Sequence, residues 1–297
     1  MLRNKKAVVG AAILLLFLLI ALFAPLIAPG DPLDFVAMPN QPPSAEHWLG
    51  TTGQGQDVFA QVVWGTRVSL GVGFASALAM MLIGTILGMV AGYFGGMVDD
   101  SLSLLINVFL IIPAVPLAVV LAAYLPQGPL TITLVLAITG WAWNARVLRA
   151  QTLSLREKDF VAASLVGGER KLRIIFSELL PNTFSLIVSG FIGATIFAIA
   201  TEVGLEFLGL GNISTVVSWG TILYWSQNNA GLVTGAWWTI VPPGLCVAVV
   251  GCALTLLNSA LDEVTNPRLR AEQETRNALR TRHLHAGRAT PVLRHAQ

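Results

Sequence analysis

The residues able to do chemistry are few and scattered. The four histidines are His47, His283, His285 and His295. Metalloenzymes and membrane proteases need His, Asp, Glu or Cys clustered at helical spacing. His283 and His285 stand two apart in an Arg-rich C-terminal stretch and read as solvated side chains. Cys246 and Cys252 share one apolar run. On a helix about 9 Å of rise separates them, too far for a disulfide, so they read as small packing residues. A phosphate-binding loop needs Gly-Lys followed by Ser or Thr. None of the four lysines, Lys5, Lys6, Lys158 and Lys171, precedes either residue. The chain is therefore expected to be no enzyme, to bind no metal or cofactor, and to draw any energy for active work from another subunit.

The polar residues worth placing lie inside or beside apolar runs. Asn107, Asn144, Ser189, Thr195 and Asn258 interrupt such runs, and Glu202 closes one. Each is a candidate for a pathway or gate, with helix–helix hydrogen bonding as the plain alternative. Pro113, Pro116, Pro242 and Pro243 are candidates for hinges, or for static kinks, because proline frees a backbone carbonyl.

These positions make sense only in a bilayer. Of 297 residues, 55% are hydrophobic and 11% are charged, with a mean hydropathy of +0.71. A soluble domain carries about 25% charged residues. Six uncharged runs are long enough to span: 7–28, 68–92, 101–125, 130–145, 183–201 and 239–261. A span takes about 20 residues. The absence of ionisable residues within the runs argues against a proton- or sodium-driven carrier. The first run exceeds the apolar core of a signal peptide and lacks a good cleavage site, so it reads as an uncleaved helix.

Basic residues set the orientation. With the N-terminus inside, 17 of the 18 Lys and Arg residues fall on cytoplasmic segments, and Arg67 alone lies outside at a span edge. Trp48, Trp64, Trp219, Trp225, Trp237 and Trp238 flank the outer ends. Both patterns fit the positive-inside rule and the aromatic belt. The resulting division is an N-terminal span at 1–28, a Pro-rich external loop at 29–66, a five-span unit at 67–261 and a cytoplasmic, partly disordered tail at 262–297. The Gly-rich segment 202–238 is expected to fold back on the membrane surface.

The internal loop is the most informative segment. Ser154 and Glu157 fit a capping box. The helix expected after it carries Phe160, Ala163, Ser164 and Gly167 on one face, and Gly167-Gly168 permits a sharp turn. A second amphipathic helix follows with Leu172, Ile175, Phe176 and Leu179, ended by Pro181, and Asn182 is placed to cap the fifth span. On spacing alone this is either a docking element or an ordinary connector.

The stretch REKDFVAASLVGGERKLRIIFSELLPN, 156–182, resembles the EAA loop of ABC-transporter permeases. HWLGTTGQGQDVFAQVVWGTRVSL, EFLGLGN with SWGTIL, and PPGL with NPRLR resemble the same family in the same order, over about residues 1–270. The subfamily is that for dipeptides, oligopeptides and nickel. The isolated first span and Pro-rich external loop are similar to the second, C-type, member of its permease pair.

The resemblance implies an all-α integral membrane fold of six spans, the type I importer fold, with a coupling helix in the loop 149–182 between spans four and five. Asp159, Phe160, Ala162, Ala163, Gly167 and Gly168 would meet an ATPase there. It also implies a second homologous permease, two cytoplasmic ATPases that use ATP and Mg²⁺, and an extracytoplasmic solute-binding protein in the inner (plasma) membrane system. No nucleic-acid partner is expected. Glu202 matches a family acidic position. The chain departs from the family pattern at Val161, Glu178, Gln56 and Asn258-Ser259, which leaves open a cargo of oligosaccharide or nickel instead of peptide. A passive pore is the alternative from another class.

Overall fold

The structure is a computed structural model that describes residues 4–265. The N-terminal Met-Leu-Arg and the tail from 266, with its arginines and three histidines, lie outside the described residues. Among these the secondary structure is helical apart from one isolated bridge between Thr51 and Asp57.

Helix α1 (Lys5–Leu22) and the short α2 (Ala24–Ile27) precede a loop that leads to α3 (Val58–Phe94). Asp57 starts α3 by accepting the Ala60 N–H at 3.0 Å. The helix thus begins ten residues before the hydropathy run. Its first turns carry Gln61, Thr66 and Ser69, all buried. Hydropathy scores such residues as exterior, yet here they bond within the fold: Gln61 Nε2 donates to Gln56 Oε1 at 2.7 Å and Thr66 Oγ1 to the Val62 carbonyl at 2.9 Å.

The third expected span is broken. Helix α4 (Gly96–Ile111) and α5 (Ala114–Tyr124) meet at 84°. Pro113 sits in the break with extended backbone and leads into α5, and Pro116 occupies α5's first turn. Proline is tolerated in that first turn, where the N–H has no helical partner. Pro242 and Pro243 fall in the first turn of α11 (Val241–Thr265) for the same reason. They begin the helix and do not interrupt it.

Helix α6 (Pro129–Arg156) overturns the expected capping box. The helix runs straight through Ser154, and Glu157 lies at its C-terminal end. Packing decides this. Ala145, Leu148 and Thr152 are buried on one continuous stripe. Opposite them Gly84, Gly88 and Gly92 recur every four residues along α3. A Cβ at Gly88 would stand 2.5 Å from the Ala145 carbonyl oxygen, and one at Gly92 2.8 Å from that of Arg149. Small residues at this spacing let two backbones touch. Near the C-terminal end of α6, Arg149 Nη2 donates to Asp99 Oδ2 at 2.7 Å, joining α6 to α4.

After α7 (Asp159–Val166) and α8 (Lys171–Ile174), a π-helical segment at Ile175–Leu179 leads without a stop into α9 (Leu180–Phe207). Pro181 was expected to end this helix. A proline ring clashes with the carbonyl four residues back. The wider π turn just before it relieves that clash, so the chain continues as one 37-residue helix. Asn182 does not cap α9: its Nδ2 donates to the Glu178 carbonyl at 2.7 Å.

Segment 202–238 does not rest on the surface as expected. Its helix α10 (Trp219–Asn228) is capped by Ser218 and Thr221, and it buries Trp219 and Ile222. Trp219 enters the cluster of Leu70, Ile199, Val250 and Leu254, which joins α3, α9 and α11. Helix α1 packs on α11, where Lys6 Nζ meets Glu263 Oε1 at 2.6 Å. Among the described residues five helices are long and apolar enough to span, six spans if the bent α4–α5 pair counts as one. Cys246 and Cys252 are free.

Candidate functional site

The first site is built around α7. Val161 is 0% exposed and packs into Met89, Tyr93, Ile174, Ile175 and Leu179. One buried valine thus pins a two-turn helix to the C-terminal end of α3 and the π segment. The departure at residue 161 thus places an apolar side chain in an apolar cluster. Arg156 Nη1 adds a hydrogen bond to the Tyr93 carbonyl at 3.2 Å.

With Val161 turned inward, Asp159, Phe160, Ala162, Ala163, Gly167 and Gly168 are all exposed. Leu165 and Val166 join them, Val166 at 90% exposure. Beyond the turn Leu172 and Phe176 are exposed as well. An apolar patch rimmed by Arg170, Lys171 and Arg173 is what a protein-docking surface looks like. The turn itself closes by hydrogen bonds from Gly167 N–H to Ala163 O at 2.9 Å and from Glu169 N–H to Ser164 O at 3.1 Å. Gly168 carries the left-handed backbone, φ +80°, whereas Gly167 is right-handed at φ −67°.

The second site is a cleft of about 550 Å³ between α3, α4, α6 and α9. Met80, Phe109, Pro113, Trp143, Asn144 and Ser189 help to line it. Two of the candidate pathway residues therefore meet here. Asn258 lies behind Ser189, accepting its hydroxyl at 2.7 Å. Asn107 is elsewhere, accepting from Arg146 Nη2 at 2.7 Å. Thr195 is buried and bonds the Phe191 carbonyl of its own helix at 2.8 Å.

Glu202 was expected just beyond the fifth span. It lies inside α9 and is 0% exposed, accepting from Ser69 Oγ at 3.1 Å. Glu206, one turn on, is equally buried and accepts from Ser218 Oγ. Sequence reading missed Glu206, Ser69 and Ser218. The i, i+4 spacing of the glutamates was the available signal. Among the described residues no three His, Cys, Asp or Glu side chains gather as a metal site.

Comparison with known proteins gives this arrangement its family. Residues 84–271 match the family described as binding-protein-dependent transport system inner membrane component. Residues 1–43 match the N-terminal TM domain of oligopeptide transport permease C. The dipeptide transport system permease protein DppC of Bacillus subtilis is 36% identical over 272 residues, 90% of this chain and 83% of that protein. The oligopeptide transport system permease protein OppC of the same organism is 33% identical over 269 residues, 90% and 87% respectively. OppC of Mycobacterium tuberculosis is 33% identical over 274 residues, 91% and 93%. With matches along nearly all of its described length, the chain belongs to the family of inner-membrane permease components of binding-protein-dependent ABC transport systems, in the C-type branch of its dipeptide and oligopeptide permeases.

Proposed function

We propose that the chain forms half of the import pathway for di- or oligopeptides and couples it to ATP hydrolysis through α7. The observation that carries this reading is the geometry of α7: one buried anchor, Val161, and an exposed face of Phe160, Ala162, Ala163 and Gly167. A slim helix with one aromatic projection suits insertion into a cleft of a partner. Movement of such a partner would pass through α8 and the π segment into α9, the helix that also lines the cleft.

In this reading the working unit is a heterodimer with a second homologous permease, two cytoplasmic ATPases that bind ATP and Mg²⁺, and an extracytoplasmic solute-binding protein. Both termini and the 149–182 loop face the cytoplasm. Asn144 and Ser189 face the solute across the cleft, with Asn107, Thr195, Asn258 and Glu202 as further pathway or gate positions. Pro113 is the hinge of the α4–α5 break, whereas Pro116, Pro242 and Pro243 set helix starts. The peptide cargo is supported by the likeness to the dipeptide permease DppC and the oligopeptide permease OppC.

The test is reconstitution. Proteoliposomes holding both permeases, the ATPases and the binding protein should accumulate a labelled peptide with ATP inside. Omitting this chain should abolish accumulation. ATP-independent entry through this chain alone would identify a passive pore and refute the proposal.

A further inference from the structure

Glu202 and Glu206 stand one turn apart on α9, both 0% exposed. Each carboxyl has one oxygen served by a serine: Ser69 Oγ donates to Glu202 Oε1, and Ser218 Oγ to Glu206 Oε2. The other two oxygens, Glu202 Oε2 and Glu206 Oε1, have no hydrogen-bond partner. At i and i+4 on α9 the two side chains are neighbours on one helix face. The surroundings are tight. A Cβ at Gly211 would stand 3.0 Å from Glu206 Oε1, and one at Gly220 2.9 Å from Glu206 Oε2.

Among the described residues no basic side chain bonds either carboxyl. On the packed elements, Arg67 of α3 is exposed, the Tyr224 ring of α10 lies against Gly209, and Cys246 of α11 packs in the Trp219 cluster. Two adjacent carboxylates cannot both stay ionised in such a place without a cation between them.

We propose that Glu202 and Glu206 form a proton-binding site, one proton held between the two unpartnered oxygens. Glu202 Oε2–H donates to Glu206 Oε1. The pair then carries a single negative charge and every carboxyl oxygen has a partner. The charge rests on Glu206 because that carboxyl accepts from Ser218, the N-cap of α10, where the helix dipole favours an anion. Glu202 has the Ser69 hydroxyl alone and keeps the proton. The same hydroxyl accepts from the Trp219 N–H at 3.2 Å. The pair thus sits where α10 meets both α9 and α3. This inference is independent of the transported solute and of the α7 docking face.

Infrared spectroscopy of the purified transporter complex near neutral pH tests it. The wild type should show a protonated-carboxyl stretch that shifts in D₂O. Glu202→Gln places an amide donor where the proton was, so it should reach the membrane and lose that band, whereas Glu206→Gln removes the charged partner and should shift the band without abolishing it. Absence of the band in the wild type, or its unchanged persistence in Glu202→Gln, overturns the proposal. Carboxylate bands that shift on adding Na⁺ or Ca²⁺, with no acid band, would identify a metal-cation site and overturn it equally.

Discussion

Replacing Gly88 by alanine tests the contact that holds the bundle together. Gly88 lies in the α3–α6 seam, and an added Cβ would stand 2.5 Å from the Ala145 carbonyl oxygen and 3.1 Å from the Arg149 nitrogen. Both are backbone atoms of a buried helix, so no side chain can swing aside. An ordinary C···O contact is about 3.3 Å, so the helices must part by about 0.8 Å. Overpacking of this kind costs about 1–3 kcal/mol. Alanine also has the higher helix propensity, by about 1 kcal/mol. Gly71 is the control. It is interior to the same helix, and a Cβ there meets nothing within 4 Å. The propensity gain is common to both variants, so Gly88→Ala should be less stable than Gly71→Ala by about 1–3 kcal/mol. Thermal or SDS unfolding of the purified complex reads the difference. Equal stability of the two variants would refute the backbone-contact reasoning.

Other outcomes follow from single contacts. Gly168→Ala should destabilise the α7 turn by about 1 kcal/mol, because its φ of +80° strains any residue with a Cβ, whereas Gly167→Ala at φ −67° should be neutral; hydrogen exchange at α7 compares them. Asp99→Asn removes one charge of the pair with Arg149 and should loosen α4 from α6 by about 1 kcal/mol, an effect that shrinks in high salt; melting the complex at two salt concentrations reads it. On a cysteine-free background, a cysteine at Ser154 should react with a membrane-impermeant reagent only after the membrane is opened; labelling in intact cells would invert the topology.

The spans were legible because insertion depends on mean hydropathy, which the sequence carries residue by residue. Their ends were not. Gln61 and Thr66 look like loop residues, yet the fold supplies their hydrogen bonds and α3 starts at Val58. The Ser154–Glu157 box failed for a related reason: a local cap competes with a packed stripe, and the stripe of Ala145, Leu148 and Thr152 prevails. Pro181 reads as a stop because the π turn that accommodates it depends on tertiary packing of Ile175 and Leu179. The Gly84, Gly88 and Gly92 spacing stands in the sequence but was not read as a helix seam, because small residues four apart do not name the partner they face. The α7 stripe was legible as small residues around Phe160. That Val161 anchors it was not, since one valine among apolar neighbours carries no direction. Glu206 escaped notice because charge near a span end reads as exterior, and only the fold of α10 over α9 covers it.

The central claim, that α7 is where an ATPase engages the permease, is tested most directly by Gly167→Trp. A Cβ at Gly167 meets only the Ala163 and Ser164 carbonyl oxygens, at 3.4 and 3.5 Å, so the indole adds bulk to the exposed face with no backbone strain. Membrane abundance, ATPase co-purification and peptide uptake should be measured together on the complete complex. The account predicts normal abundance, reduced ATPase recovery and lost uptake. Wild-type recovery and uptake with tryptophan in place would contradict it.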